Sequence, residues 1–245
     1  MTKLTFGYSS LSDRVSNIQP PHWHGTFEFL VVTQGGKCKS PKGSRHFEMT
    51  ETGVAKSRNE VLLQTKGEYL VFADDDVVFT DGLDAVVKYL DDHSDVDLVL
   101  AKAIDESGHE RKRYPSTSQK LNRFNSARAA TYEMVVRAER VRSKGIIFDT
   151  SFGAGAANYL GDEYIFICDL LAAGLKAVYL PIVIAKHPKD SSGSGWGSEM
   201  DRTARSKVFT RVFGRIAPLV RALFGLRRLA ELGGLQSYWK FIWGR

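Results

Sequence analysis

The stretch Gly53–Phe79, GVAKSRNEVLLQTKGEYLVFADDDVVF, decides the fold. Its first half contains a helical pattern over Val54–Thr65, and its second half contains Glu68–Ala73, a nearly continuous apolar run. Such a run is typical of a strand that is buried on both faces, as in a parallel sheet. The strand ends in the three adjacent aspartates Asp74–Asp76. A helix followed by a buried strand that ends in carboxylates indicates an α/β protein with a site at one edge of the sheet.

The same alternation continues on both sides of this stretch. Further strand-like runs occur at Leu4–Tyr8, Phe27–Thr33, Asp97–Ala103, Thr131–Arg137 and Lys176–Leu180, the last of which Pro181 is expected to end. Further helical patterns occur at Gly82–Asp91, Ala138–Lys144 and Gly161–Ala173. The polar segment Asp105–Ser126, with Arg111, Lys112 and Arg113, and the segment Ser191–Trp196 are predicted to be loops. We therefore predict a doubly wound, mostly parallel sheet that is flanked by helices.

Length and composition set the class of protein. The chain has 245 residues, of which 43% are hydrophobic and 25% are charged, as in soluble globular domains. No uncharged apolar run reaches the roughly 18 residues that a membrane span needs. The N-terminus lacks the apolar core of a signal peptide, so we expect a cytoplasmic protein. The two cysteines, Cys38 and Cys168, form no Cys-x-x-Cys pair and predict neither a disulfide nor a metal site.

The positive charge is concentrated at the C-terminal end. The net charge is +6, but Arg202–Arg245 holds ten Lys or Arg residues and one acid, which leaves −3 on the other 201 residues. Apolar residues from Val208 to Ile216 fall on one helical face, and Pro218 is expected to start a second helix. Basic amphipathic helices that end in Tyr and Trp suit the inner face of an anionic membrane. The alternative is that these helices pack on the domain. No nucleic-acid-binding motif accompanies the charge, so no nucleic-acid partner is expected.

The aspartate cluster is the strongest chemical signal. Adjacent carboxylates repel one another, and at the carboxyl end of a strand they can hold Mg²⁺ or Mn²⁺ together with substrate phosphates. Asp74 and Asp76 lie on the same side of an extended segment and can address one ligand. The alternative is a solvated acidic turn.

The helix with Ser57-Arg58-Asn59, followed by a strand and an Asp-x-Asp cluster, resembles the nucleotide-sugar half of family-2 glycosyltransferases of the GT-A fold. The resemblance implies that Asp74 contacts the donor nucleotide and that Asp76 binds a divalent metal, Mn²⁺ or Mg²⁺. Asp74 is a second candidate for the metal, and Asp75 for the nucleotide. Arg58 resembles the arginine near the donor.

The second half of the chain is similar to the acceptor half of these enzymes, and the whole is similar to bacterial enzymes that build surface polysaccharides. Phe152-Gly153, Gly161-Asp162-Glu163, Gly174 and His187-Pro188 follow in the family's order. The resemblance implies a catalytic base at Glu163, with Asp162 as the second candidate, and a further metal ligand at His187. The acidic pair is Asp-Glu here, where the family usually has Glu-Asp.

Two early positions bear on the nucleotide. The family often has an aspartate after the second strand, where this chain has Gln34, so we expect an amide to replace a carboxylate that meets the base. Ser9 follows the first strand and is expected to line the nucleotide pocket or to serve as a turn residue.

The resemblance predicts an inverting, metal-dependent glycosyltransferase that uses a UDP-, GDP- or dTDP-linked sugar and a glycan or lipid-linked acceptor, in bacterial polysaccharide synthesis. We expect a domain over residues 1–200, with a nucleotide-sugar half at 1–104 and an acceptor half at 105–200, and a helical tail at 201–245. Two alternatives remain: a nucleotidyltransferase, and an inactive subunit that binds sugar nucleotides or docks on a membrane.

Overall fold

A computed structural model describes residues 2–188 and 198–244, so the predicted loop Ser191–Trp196 lies outside the described residues. The strands are β1 (Leu4–Leu11), β2 (Phe27–Gln34), β3 (Arg45–Met49), β4 (Tyr69–Asp74), β5 (Val78–Phe79), β6 (Leu98–Ile104), β7 (Gln119–Lys120), β8 (Met134–Arg137) and β9 (Ala177–Lys186). The helices are α1 (Val54–Gln64), α2 (Gly82–Asp92), α3 (Ala138–Ser143), α4 (Asp162–Ala172), α5 (Glu199–Phe213), α6 (Ala217–Leu226) and α7 (Leu235–Trp243).

These strands form one sheet in the order β3-β2-β1-β4-β8-β6-β9-β5, with β7 paired to β9. Strands β1, β2, β3, β4, β6 and β9 run in one direction, and β5, β7 and β8 run in the opposite one. The predicted α/β fold, a mostly parallel sheet flanked by helices, is confirmed.

Strand β4 shows why the central strands are apolar on both faces. Tyr69, Val71 and Ala73 lie in the core on the side of α2. Leu70 and Phe72 lie in the core on the opposite side, which α1, α3 and α4 cover. Both sets are almost fully buried, so neither face of the strand can be polar. The run EYLVFA is thus the sequence signature of a strand between two helical layers.

The last long strand differs from the prediction. Strand β9 does not end at Pro181 but continues to Lys186. Its register with β6 shifts between Leu100 and Lys102, where Pro181 and its neighbours bulge out of the ladder. Proline lacks the amide hydrogen that a ladder needs, and a bulge tolerates that loss. The bulge lets the strand reach the edge of the sheet where His187 follows.

Strand β8 is shorter than predicted and runs against its neighbours β4 and β6. The predicted strand Thr131–Arg137 divides into a short 3₁₀ turn at Thr131–Glu133 and β8 itself. Because β8 is reversed, its first residues lie at the edge where β4 and β6 end. Thr131 and Tyr132 therefore lie at the edge that carries Asp74.

The first helix after residue 197 is part of the domain. Val208 of α5 packs in one cluster with Phe152, Tyr164 and Ile165. Gly161, at φ +96°, permits this contact, because a Cβ atom there would lie 2.4 Å from Val208 Cγ2. Arg211 pairs with Asp149 and Asp169 instead of facing solvent alone. Helix α5 begins at Glu199, so a boundary between residues 200 and 201 would cut its first turn.

The last two helices turn apolar stripes to solvent. On α6 the exposed residues Leu219, Leu223 and Leu226 repeat at helical spacing, and on α7 Leu235, Trp239 and Trp243 do the same. Their inner faces pack on α5, where Phe209 meets Phe224 and Phe241. No helix among residues 2–188 and 198–244 is long and apolar enough to cross a bilayer.

Candidate active site

The aspartate cluster lies where the central strands end. Asp74 is the last residue of β4 and stands opposite Ser9 of β1 in the register. The first turn of α4 brings Asp162 and Glu163 to this edge, and the end of β9 brings His187. This is the edge at which doubly wound sheets bind their ligands.

The three aspartates differ in their nearest partners, although Arg14 also lies 3.6 Å from Asp76 Oδ2. Asp74 accepts a hydrogen bond from Arg58 at 3.0 Å. Asp75 is buried and accepts hydrogen bonds from Ser10 at 2.9 Å and from Arg14 at 2.5 Å. Asp76 is partly exposed and lies 3.2 Å from His187 Nε2. Asp74 and Asp76 are thus the members of the cluster that are open to a ligand, while Asp75 ties the loop after β1 to the cluster.

Arg58 joins the two halves of the site. Its guanidinium is buried and donates to Asp162 Oδ2 at 2.5 Å and, at 3.3 Å, to Glu163 Oε1, in addition to Asp74. Burial disfavours the charge of Arg58, but the three carboxylates outweigh it and raise the pKa of Arg58. The arginine is therefore a permanent cation between the aspartate cluster and the acidic pair.

The acidic pair divides into a buried and an accessible member. The Asp162 side chain is 4% exposed, and the Glu163 side chain is 22% exposed. Thr131 Oγ1 donates to Glu163 Oε1 at 2.9 Å and fixes its direction. Glu163 is the member of the pair that a substrate hydroxyl can reach.

Burial and the charge of Glu163 raise the pKa of Asp162 to about 7. Burial also opposes the charge of Glu163, but Arg58, a backbone N–H and the hydrogen bonds from Asp162 and Thr131 outweigh it and lower the pKa of Glu163. One arginine cannot neutralise three carboxylates, so the proton is held by the most buried of them. Below pH 7, Asp162 therefore carries the proton while Glu163 is ionised.

His187 has the tautomer that a metal ligand needs. Its Nδ1 atom lies 2.7 Å from the carbonyl oxygen of Pro188, which can only accept, so Nδ1 carries the hydrogen. In the neutral ring Nε2 is then a lone pair, and it faces Asp76 Oδ1. The ring of Tyr132 stacks on the imidazole at a centroid distance of 4.5 Å. A backbone carbonyl and a stacked ring therefore hold the imidazole in place.

The residues present fit a divalent cation at this point. Asp76 Oδ1 is buried and has no hydrogen-bond donor among the described residues. A carboxylate oxygen and an imidazole lone pair that face each other are two acceptors, and a cation between them satisfies both. Asp76 and His187 would hold such an ion.

Ser9 and Gln34 lie in a buried network. The Gln34 amide oxygen accepts from the backbone N–H of Gly53 at 2.6 Å, and its nitrogen donates to Ser57 at 2.9 Å and Ser9 at 3.3 Å. Ser9 also bonds to Ser57. These contacts use the Gln34 amide to fix the start of α1. A nucleotide role for Ser9 and Gln34 stays a prediction that these contacts do not favour.

The basic loop is tied to a residue for which the sequence suggested no role. Lys112 pairs with the buried Glu133 at 2.6 Å, and Tyr114 donates to the same carboxylate at 2.5 Å. Burial raises the pKa of Glu133. Thr131, Tyr132 and Glu133 are consecutive and directly precede the buried strand β8. Three polar residues in this position were the sequence feature that could have indicated a role for them.

The proton on Asp162 predicts a pH dependence of stability. The folded protein holds this proton between the ordinary carboxyl pKa of roughly 4 and about 7, whereas the unfolded chain releases it. The folded state therefore binds the extra proton in this range, and this group lowers the free energy of unfolding as pH rises. One proton corresponds to a slope of up to roughly 1.4 kcal/mol per pH unit, and we expect the free energy of unfolding of Asp162→Asn to lack this part of the decline with pH.

Urea denaturation of the metal-free protein at several pH values between about 4.5 and 7 measures how the free energy of unfolding changes with pH. Asp92→Asn, at an exposed carboxylate of α2, is the matched control. Parallel pH profiles for wild type and Asp162→Asn would contradict the assignment of the proton.

Comparison with known proteins gives a family match and similar folds. Residues 36–143 match the family described as Glycosyl transferase family 2. The fold is similar to S. aureus TarS, with 13% identity and a TM-score of 0.64 over 98% of this chain and 55% of that one. This chain therefore spans just over half the length of that protein. No curated protein sequence matches.

Two solved complexes have the same fold. TarS residues 1–349 in complex with UDP-GlcNAc are 15% identical, with a TM-score of 0.62 over 94% of this chain and 73% of that one. The mannosyltransferase PcManGT from Pyrobaculum calidifontis, in complex with GDP-Man and Mn²⁺, is 18% identical, with a TM-score of 0.57 over 98% of this chain and 73% of that one. Residues 36–143 therefore match the glycosyltransferase family 2 model, and the fold of this chain is similar to that of TarS and of the mannosyltransferase PcManGT.

Proposed function

We propose that the protein transfers a sugar, with inversion, from a nucleotide-sugar donor to a hydroxyl of a glycan or lipid-linked acceptor in bacterial polysaccharide synthesis. One observation carries the proposal. An ionised and accessible carboxylate, Glu163, shares one edge of the sheet with the facing acceptors Asp76 and His187. A base on one side of a site and a cation position on the other are what glycosyl transfer to a hydroxyl requires.

The donor is a nucleoside diphosphate sugar. Solved proteins with this fold hold UDP, UDP-GlcNAc or GDP-Man, which supports this substrate class. Asp74 contacts the nucleotide from the end of β4, and the hydrogen bond from Arg58 orients the Asp74 carboxylate. Asp75 and Arg14 anchor the loop after β1 that borders the donor.

The transfer step follows from the two ends of the site. The acceptor oxygen attacks the anomeric carbon, the bond from that carbon to the diphosphate oxygen breaks with its electron pair, and the hydroxyl proton moves to Glu163. Thr131 and Arg58 hold the carboxylate in position for this transfer. The protonated Asp162 carboxyl hydrogen bonds to Glu163, so it acts as a positioning residue.

A divalent cation at Asp76 and His187, Mn²⁺ or Mg²⁺, would stabilise the negative charge of the leaving diphosphate. His187 would bind it through Nε2, because Nδ1–H donates to the Pro188 carbonyl oxygen. Asp76 offers the carboxylate oxygen that has no donor among the described residues.

We expect Glu163→Gln to lose transfer while donor binding is kept. The amide preserves the size of the side chain but cannot accept the proton, and removal of a general base costs roughly 100- to 10,000-fold in rate. Release of nucleoside diphosphate from a panel of UDP-, GDP- and dTDP-sugars with Mn²⁺ measures the rate, and calorimetry with the active donor measures binding.

Two variants control this experiment. Glu139→Gln changes an exposed glutamate that pairs with Arg142, and should keep full activity. Asp162→Asn separates the two candidates for the base, and should retain more activity than Glu163→Gln. Full turnover by Glu163→Gln, or a greater loss in Asp162→Asn, would refute the role of Glu163.

We expect Asp76→Asn to abolish Mn²⁺-dependent donor binding. The amide has one oxygen and no charge, so the position facing His187 loses the carboxylate. His187→Gln should weaken Mn²⁺-dependent binding by roughly tenfold or more. Titration of the donor with and without Mn²⁺ in a calorimeter measures both, with Asp81→Asn as an exposed control. Unchanged Mn²⁺ dependence in Asp76→Asn would show that the cation binds elsewhere.

We also propose that α6 and α7 dock on an anionic membrane surface, which would place the enzyme at the inner face of the cytoplasmic membrane. Each helix exposes three large apolar residues, and Arg202–Arg245 carries a net charge of +9, against −3 on the other 201 residues. Exposed cations, among them Arg215 and Arg227, border these stripes. Apolar side chains beside cations are complementary to anionic headgroups above acyl chains.

Sedimentation with vesicles tests this proposal. We expect binding to vesicles that contain phosphatidylglycerol, weaker binding to phosphatidylcholine vesicles, and loss of binding in Leu223→Asp/Trp239→Asp. Leu63→Asp, an exposed leucine of α1, is the matched control. Equal binding by both variants, or a stable dimer that Leu223→Asp/Trp239→Asp dissociates, would contradict a lipid partner.

A further inference from the structure

A second group of metal-ligating side chains lies on the outer strand of the sheet. Cys38 follows β2, and His46 and Glu48 lie on β3. Their ligand atoms, the Cys38 sulfur, a His46 ring nitrogen and a Glu48 carboxylate oxygen, all lie within 4.8 Å of one another. His46 and Glu48 are two residues apart and therefore point to the same face of β3.

The spacing of the softest pair fits one tetrahedral ion. The Cys38 sulfur lies 3.7 Å from His46 Nε2. An ion bound at about 2.3 Å to sulfur and about 2.0 Å to nitrogen with tetrahedral angles separates these atoms by roughly 3.5 Å. The backbone N–H of Cys38 donates to Glu48 Oε1 at 3.1 Å, which holds this carboxylate beside the thiol. The three groups thus stand close to a bound geometry.

Thr33 completes the surroundings. Its hydroxyl lies 2.9 Å from His46 Nε2 and 3.6 Å from the Cys38 sulfur. The carbonyl oxygen of Phe47, 3.5 Å away, can accept this hydroxyl when the imidazole nitrogen is used by an ion. Binding therefore requires no buried polar group to lose its partner.

We propose that Cys38, His46 and Glu48 bind a transition-metal ion of the zinc class, with a fourth position open to water. Thiolate and imidazole select Zn²⁺ over Mg²⁺ or Mn²⁺, and three protein ligands leave one tetrahedral position. The thiol proton of Cys38 is released as the Cys38–metal bond forms. No redox step is involved.

This site is separate from the catalytic edge position of Asp76. Strands β1 and β2 lie between β3 and β4, so roughly 14 Å of sheet separates the two strands that carry the sites. The ion would pin the β2–β3 loop to the edge strand β3, whose outer side has no strand partner among the described residues. Binding to the folded chain alone would also raise its thermal stability.

Cobalt titration of the full, metal-free chain tests the proposal. Co²⁺ that binds a thiolate gives a near-ultraviolet sulfur-to-cobalt charge-transfer band, and Zn²⁺ should displace it. We expect this band in wild type, its loss in Cys38→Ser, and Co²⁺ affinity reduced roughly tenfold or more in His46→Gln. Cys168→Ser, at the other cysteine, and Asp76→Asn, at the catalytic edge, should keep the band.

Each outcome decides the assignment. Absence of the band in wild type, its persistence in Cys38→Ser, or its loss in Cys168→Ser would overturn the site. Thermal unfolding of the metal-free variants shows whether they are folded, and in the Asp76→Asn background Zn²⁺ should raise the melting temperature when Cys38 is present but not when Cys38→Ser is added. Because donor turnover is not the readout, failure of this site leaves the proposed transferase function unaffected.

Discussion

The site depends on one buried cation. Arg58 projects from α1 between two acidic groups, Asp74 at the end of β4 and the pair Asp162–Glu163 at the start of α4. Without the guanidinium, three carboxylates would face one another in a largely buried space, and breaking such an ion cluster costs on the order of 3–5 kcal/mol. The same contacts join residues that lie more than one hundred positions apart in the sequence. The arginine therefore sets both the stability and the geometry of the site.

A single positive charge against three negative ones also decides where a proton is held. The deepest carboxylate, Asp162, is least able to carry a charge and holds the proton, which leaves Glu163 ionised toward solvent. The order Asp-Glu, reversed from the usual family order, is compatible with this division. The longer glutamate reaches past the buried aspartate, and Thr131 holds its end.

The sequence predicts the elements well and the contacts less well. Glu68–Ala73 and the aspartates after it are local signals, because burial on both faces requires a continuous apolar run. The Gln34 amide was predicted to meet the base, but it is used by Gly53 and Ser57, which lie in a different part of the chain. Pro181 was expected to end a strand, and only the register with β6 shows that a bulge absorbs it. The contacts of Gln34 and Pro181 depend on residues that are distant in the sequence, and no local sequence pattern predicts them.

The proposed metal ligands Cys38, His46 and Glu48 also depend on contacts that no local sequence pattern predicts. Cys38 has no cysteine partner in the sequence, so its count predicted no metal site. His46 and Glu48 become neighbours of Cys38 because β3 pairs with β2 in parallel. A parallel pair needs a crossover connection, so residues at the end of β3 come to lie beside the end of β2. A strand as polar as Arg45–Met49 is stable at the outer edge of a sheet, where a long apolar run would favour association.

The reversed strand β8 couples the two ends of the candidate site. In a wholly parallel sheet the residues before a strand lie at the opposite edge from the residues that follow its neighbours. Because β8 runs against β4 and β6, the consecutive residues Thr131 and Tyr132 lie at the edge that carries the candidate site. Thr131 holds the Glu163 carboxylate, and Tyr132 stacks on His187. A shift of this turn would move both groups together, so the reversed strand keeps the proposed base, Glu163, and the proposed cation position at His187 in a fixed relation.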